Sequence, residues 1–356
     1  MDGKVYGKNE VTPHAVGDNE DPEPLTQKET RSTWLSRRSR LVLSTLLLAL
    51  VILGLALGLG LGLGLRHHGG TPAPSATPSP EPGPIWQPRV NMSWQIILDY
   101  PLRIDDENPT IEPDVDVYDI DMFLSQNNTV IANLHKLGKK VICYFSAGSY
   151  EPWRPDAYKF LDSDLGNTLA GWANERWLNI SSPSVRAIMA SRIEMASKIG
   201  CDAIDPDNVD GYQNDSGLDL TATSSIQFLN FLAGLAREHN LAIGLKNSLD
   251  IIKDVLHLVQ FSVNEECANY HECFAFSDFI QDNKPVFHVE YPAGAPGAIS
   301  TKEQQDSCEA SGAAGFSTVL KTLELTSWVE YCNGQTANTS VITTTVDDHP
   351  ILPNIF

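Results

Sequence analysis

Basic side chains are scarce in this chain: 25 Lys and Arg stand against 45 Asp and Glu, a formal net charge of −20. Residues 1–85 carry eight of each sign, so the whole acidic excess belongs to residues 86–356. A surface of that sign repels nucleic acid phosphates and attracts polycations, although acidity also serves solubility. Cysteine is missing from the first 142 residues. None of the six later ones pairs with histidines at zinc-site spacing, so no metal is expected. No Gly-rich phosphate loop follows the first predicted strand, which argues against a doubly wound nucleotide-binding sheet, and no motif asks for a cofactor. Hydrophobic residues reach 42%, enough for a large core, which excludes a wholly disordered chain.

Charge is also missing from residues 41–65, a run dominated by Leu, Val, Ile, Ala and Gly. At ~1.5 Å per residue such a run exceeds the ~30 Å hydrocarbon thickness of a bilayer. Arg31, Arg37, Arg38 and Arg40 precede it, and only Arg66 follows closely. The positive-inside rule then predicts a single-pass type II signal anchor in the plasma membrane, with everything after His67 outside. The polar residues 1–40 read as a disordered cytoplasmic tail, and the Pro-, Ser- and Thr-rich residues 66–85 as an extended stalk. Residues 86–340 read as one folded, monomeric domain and 341–356 as a C-terminal extension. All six cysteines fall on the predicted outer side, where disulfides persist. Cys267 and Cys273 are close enough to clip a short loop, and Cys308 with Cys332 to close the last segment. For Cys143 and Cys201, each in or beside a predicted strand, the spacing leaves bonding open. Asn91, Asn127, Asn179, Asn214 and Asn338 open glycosylation sequons, consistent with the same side.

From residue 86 onward, short apolar runs alternate with segments of helical period. Strands are predicted at 94–98, 115–120, 140–145, 202–205, 241–245, 259–263, 285–289 and 313–319. Helices are predicted at 130–137, 183–199, 224–239 and 270–280, with Pro183 suited to a first helical turn. Eight strands with intervening helices in such a length predict an α/β fold of the (β/α)₈ TIM-barrel type.

In such a barrel chemistry collects at the C-terminal ends of the strands. Those ends offer Asp99; Tyr144, followed by Glu151, Trp153, Arg154 and Asp156; Asp205, Asp207, Asn208, Asp210 and Tyr212; Lys246 and Asn247; Glu265 and Glu266; Glu290 and Tyr291. Carboxylates across a sugar-sized pocket suit glycosidic bond cleavage, where one group protonates the leaving oxygen and another stabilises or attacks the anomeric carbon. Singly, each has a plainer use: acids after strands cap helices, and Trp153, Trp172 and Trp177 pack loops. Their coincidence on one barrel face is what favours chemistry.

The runs VICYFSAGSYEPWRPD (141–156), ERWLNI (175–180), DPDNVDGY (205–212), GLKN (244–247) and VNEEC (263–267) resemble family 114 glycoside hydrolases, the TIM-barrel endo-α-1,4-polygalactosaminidases. The resemblance spans nearly all of residues 86–335. It implies cleavage within a cationic, partly deacetylated galactosamine polymer, with Asp207 as nucleophile and Glu265 as acid/base in a retaining reaction. It further implies substrate contacts at Asp99, Tyr144, Arg154, Asp205, Asn208, Asp210, Tyr212, Lys246, Asn247, Glu290 and Tyr291. Asp205 departs from the family pattern, where Glu is expected before the Pro. The alternatives are a non-catalytic surface carbohydrate-binding barrel and an α-glycosidase of other specificity.

Overall fold

The computed structural model describes residues 84–126 and 129–343. The predicted tail, anchor and most of the stalk lie outside the described residues, as do the sequon at Asn127 and most of the C-terminal extension. Among the described residues no helix is long and apolar enough to cross a membrane.

The described chain is a mixed α/β, TIM-like fold. Eight of its strands run parallel in one curled sheet: β1 (Trp94–Ile97), β2 (Val117–Asp121), β3 (Lys140–Ser146), β7 (Ala203–Asp207), β8 (Ala242–Lys246), β9 (Phe261–Glu265), β10 (Val286–Glu290) and β11 (Ser317–Leu320). All eight coincide with the predicted runs, shifted by a few residues at their ends. The first and last touch without ladder pairing: Trp94 Nε1 donates to the Ser317 carbonyl at 2.7 Å and, beyond both strands, Leu98 N donates to that of Leu325 at 3.1 Å. Two short antiparallel strands, β12 (Trp328–Tyr331) and β13 (Thr336–Asn338), continue the sheet beyond β11. Neither was predicted.

The helix Pro183–Ile199 forms where expected, with proline in its first turn and Gly200 (φ 97°) at its left-handed C-cap. Val130–Lys136 and Ala222–Glu238 also match their predictions. The helix expected over 270–280 shrinks to a 3₁₀ turn, Cys273–Phe276, and a short helix, Ser277–Gln281. His271 stands at φ 58°, which no helix accommodates, and the Cys267–Cys273 disulfide ties down the preceding loop. The long segment after β3 holds an unpredicted three-stranded sheet: β4 (Ser149–Tyr150), β5 (Leu165–Leu169) and β6 (Trp172–Leu178).

Cysteines pair as Cys267–Cys273, Cys308–Cys332 and Cys143–Cys201. The last bond joins β3 to the turn entering β7, its neighbour in the sheet, across a separation of 58 residues. Chain-entropy arguments give a loop of that size about 4 kcal/mol of stabilisation. Replacing both residues with Ala is therefore expected to lower the thermal midpoint more than the same change at Cys267 and Cys273, whose short loop gives about 2 kcal/mol. Differential scanning calorimetry checks the order.

Candidate active site

Strands expose alternate residues on opposite faces. Inside the curled sheet Trp94, Ile96, Val117, Ile142, Ala203, Ala242, Phe261, Val263, Phe287, Val289 and Val319 pack into an apolar plug. A Cβ at Gly244 would stand 2.3 Å from the Phe261 ring, so glycine is what lets that ring fill the middle of the plug. Two residues farther along the same strands, the alternation brings Asp119, Tyr144, Asp205, Lys246, Glu265 and Tyr291 to the inner face, with Asp207 one more step along β7. The plug is the floor, and these polar side chains stand on it.

Lys246 is the hub. Its buried Nζ lies 3.4 Å from Asp207 Oδ2, 3.4 Å from Glu265 Oε2 and 3.9 Å from Asp205 Oδ2, with the Tyr144 ring centre 5.3 Å away. Asp207 and Glu265 thus share one ammonium. Tyr144 donates to Asp207 Oδ2 at 3.0 Å, and the Asn208 backbone N–H to Oδ1 at 2.7 Å. Glu265 accepts from Asn247 Nδ2 at 3.1 Å and from the Tyr291 hydroxyl, while its own N–H donates to Asn247 Oδ1 at 2.9 Å. Each carboxylate is therefore aimed by two neighbours besides the lysine.

The backbone is constrained at the same three strand ends. Asn208, Asn247 and Glu266, each directly following one of the three clustered residues, take positive φ (59°, 48° and 61°), and Ser248 adds a fourth at 55°. Left-handed conformations in non-glycine residues are costly and gather where geometry serves function. Asn208 is further pinned by Gly148, where any Cβ would fall 1.7 Å from its carbonyl oxygen.

Burial raises the proton affinity of Glu265, but Lys246 and the Tyr291 and Asn247 hydrogen bonds outweigh it and hold the carboxyl below its ordinary value. Burial disfavours the Lys246 charge, yet Asp207, Glu265, Asp205 and Asp119 together keep it firmly protonated. Burial and the Asp207 charge push the Tyr144 hydroxyl up, so it stays a donor. Burial, with Asp207 beside it, lifts Asp210 to about 6. Asp205, fully buried, is lifted to about 7 against the pull of Lys246.

Other candidates named from the sequence lie elsewhere. Arg154 is spent on two acids, Asp121 at 2.7 Å and a bidentate pairing with Glu151 at 2.7 and 2.8 Å. Glu290 sits on the opposite face of β10, accepting from the Ala268 N–H at 2.7 Å and bonding His288 at 2.7 Å. Asp99 is buried at the end of β1, lifted by that burial to about 6 despite Lys321. The Tyr212 hydroxyl is buried without a hydrogen-bond partner.

Two acids beside the cluster were not picked out as candidates. Glu175 on β6 accepts from Ser149 Oγ at 2.6 Å, and burial, reinforced by Glu151, lifts it to about 7. Through Ser149 and Ser146 it joins a hydrogen-bond chain to Asn208, at 2.6 and 2.9 Å. Asp119 lies on the inner face of β2 beneath the cluster. The alternation Val117, Asp119, Asp121 could have revealed it; nothing in the sequence announces the excursion that carries Glu175.

Among the described residues one group has metal-ligand character, Cys267, Cys273 and His288. Its two cysteines are joined in a disulfide, so neither offers a thiolate.

The model of glycoside-hydrolase family GH114 matches residues 75–337. The crystal structure of Aspergillus fumigatus Ega3 in complex with galactosamine is similar at 50% identity and a TM-score of 0.66, covering 71% of this chain and 100% of that one. The glycoside hydrolase domain of PelA from Pseudomonas aeruginosa is similar at 14% identity and a TM-score of 0.49, covering 65% and 95%. No curated protein matches the chain.

Proposed function

The chain belongs to glycoside-hydrolase family GH114, and we propose that it cleaves internal α-1,4 bonds of a cationic, galactosamine-containing polysaccharide by a retaining mechanism. The observation that carries this reading is the convergence of Asp207 and Glu265 on the Lys246 ammonium, each at 3.4 Å. Their nearer oxygens stand no farther apart than two 3.4 Å contacts laid end to end. That bound accommodates the ~5–5.5 Å carboxyl separation of retaining enzymes.

Asp207 attacks the anomeric carbon while Glu265, whose hold on a proton strengthens once a seated sugar excludes water, passes that proton to the departing glycosidic oxygen. A glycosyl ester on Asp207 results. Glu265, now a carboxylate, takes a proton from water as the water oxygen attacks the same carbon, and Asp207 leaves with its charge restored. Lys246 and Tyr144 stabilise the Asp207 charge, and Asn247 and Tyr291 orient Glu265. Asn208 and Asp210 border this centre and are read as sugar contacts. The galactosamine bound in the 50%-identical relative supports the sugar, and the acidic excess of residues 86–356 suits its ammonium groups. The run at 41–65 anchors this domain outside the plasma membrane in the same reading.

The test is release of reducing ends by the full-length protein from partly deacetylated galactosaminogalactan, beside an α-1,4-glucan. New ends from the first polymer only are expected. No release from the galactosamine polymer would remove the proposal.

A further inference from the structure

Beneath the catalytic pair lie two carboxyl groups that the reaction leaves unused. Asp119 on β2 and Asp205 on β7 are 0% exposed, and none of their four side-chain oxygens has a hydrogen-bond partner. Their inward neighbours one step lower on the same strands, Val117 and Ala203, belong to the apolar plug. Apolar side chains would fill this layer without the strong penalty of desolvating an unpartnered acid, so packing gives no reason for acids here. Reach to a cation does. Asp205 Oδ2 is 3.9 Å from Lys246 Nζ, which in turn touches both catalytic carboxylates at 3.4 Å. The charged and titratable groups around the Asp119–Asp205 pair are Asp121 beside Asp119 on β2, Tyr144 in register on β3, Asp207 on β7, Lys246 from β8 and Glu265 from β9. Asp121 is itself paired with Arg154.

We propose that Asp205 is a positioning residue that competes with Asp207 and Glu265 for the Lys246 ammonium, with Asp119 behind it as a like-charged neighbour that keeps a proton on the pair. When Asp205 carries a proton, Lys246 serves the two catalytic carboxylates undivided. When Asp205 loses it, the ammonium is drawn toward the floor and a negative charge appears beneath the pair. Glu265 then keeps its own proton to higher pH. Asp205 thereby extends the alkaline side of the working range. Burial lifts the Asp205 carboxyl to about 7, which puts the exchange near neutral pH.

The inference rests on Asp207 and Glu265 being the catalytic pair, and one experiment separates the two claims. The pH dependence of kcat and KM is measured on the galactosamine polymer for full-length wild type, Asp205→Asn and Asp205→Glu. Asp205→Asn, which keeps shape and removes the charge, is expected to move the alkaline limb of kcat down by about half a pH unit or more. Near pH 5, where Asp205 is already protonated in the wild type, its kcat should stay within about twofold, with KM likewise. Asp205→Glu carries its charge one methylene closer to Lys246 and should move the limb up, which keeps the test open if the amide variant does not fold. A limb unmoved in the folded variants, or a kcat lowered equally at all pH values, overturns the positioning role. A wild type that releases no ends overturns the catalytic reading instead.

Discussion

Asp207→Asn and Glu265→Gln should each remove nearly all turnover, by on the order of 10²–10⁴-fold or more in kcat, while leaving the protein folded. Both changes are isosteric, and each leaves Lys246 a remaining carboxylate at 3.4 Å, so no buried charge is stranded. They also relieve like-charge repulsion across the ammonium, so the thermal midpoint should move by no more than about 4 °C. The two losses differ in kind. Asp207→Asn removes the attacking oxygen and should fail on every substrate. Glu265→Gln removes a proton donor, so a sugar with a leaving group that needs no protonation, such as a dinitrophenol, should still load Asp207 and give a burst of phenol. Stopped-flow absorbance separates these outcomes. Equal failure of both variants without a burst would contradict the assignment of roles.

Lys246→Met carries the second large effect. Removing a preorganised cation from beside a developing charge costs about 10²–10³-fold in kcat. The pH profile should respond in a definite direction. Lys246 holds Glu265 below its ordinary value against burial, which acts the other way. Without the cation, burial acts unopposed, and the Glu265 carboxyl binds its proton more tightly. The alkaline limb of the kcat/KM profile, set by Glu265, should therefore move to higher pH. A profile lowered in height but unmoved in position would show that Lys246 packs against the pair without tuning it. Lys246→Arg is the useful control: it keeps the charge but not the compact reach, so position should recover better than height.

The parallel strands were legible because each is a short apolar run bounded by turns, and their alternation also places the inner residues. Ignoring that alternation accounts for Glu290. With Phe287 and Val289 inside, His288 and Glu290 must face out, and Tyr291 rather than Glu290 reaches the centre. Asp205 and Asp207 share a face for the same reason, yet depth separates them: one is fully buried in the floor and the other borders the cleft. The Cys143–Cys201 bond was open from the sequence because a separation of 58 residues says nothing of proximity until β3 and β7 are known to be neighbours. The three-stranded excursion after β3 was missed because β4 has only two residues and β5 and β6 each contain an exposed, polar stretch, so they lack an apolar signature. Glu175 is hidden with them.

The central claim is that Asp207 attacks the anomeric carbon directly while Glu265 serves as acid and then base, so that the first product keeps its configuration. The most direct test is the configuration of the first product, read by proton NMR within seconds of mixing, before mutarotation. The account predicts that the new reducing end appears as the α-anomer and then relaxes toward equilibrium. A β-anomer appearing first would contradict it.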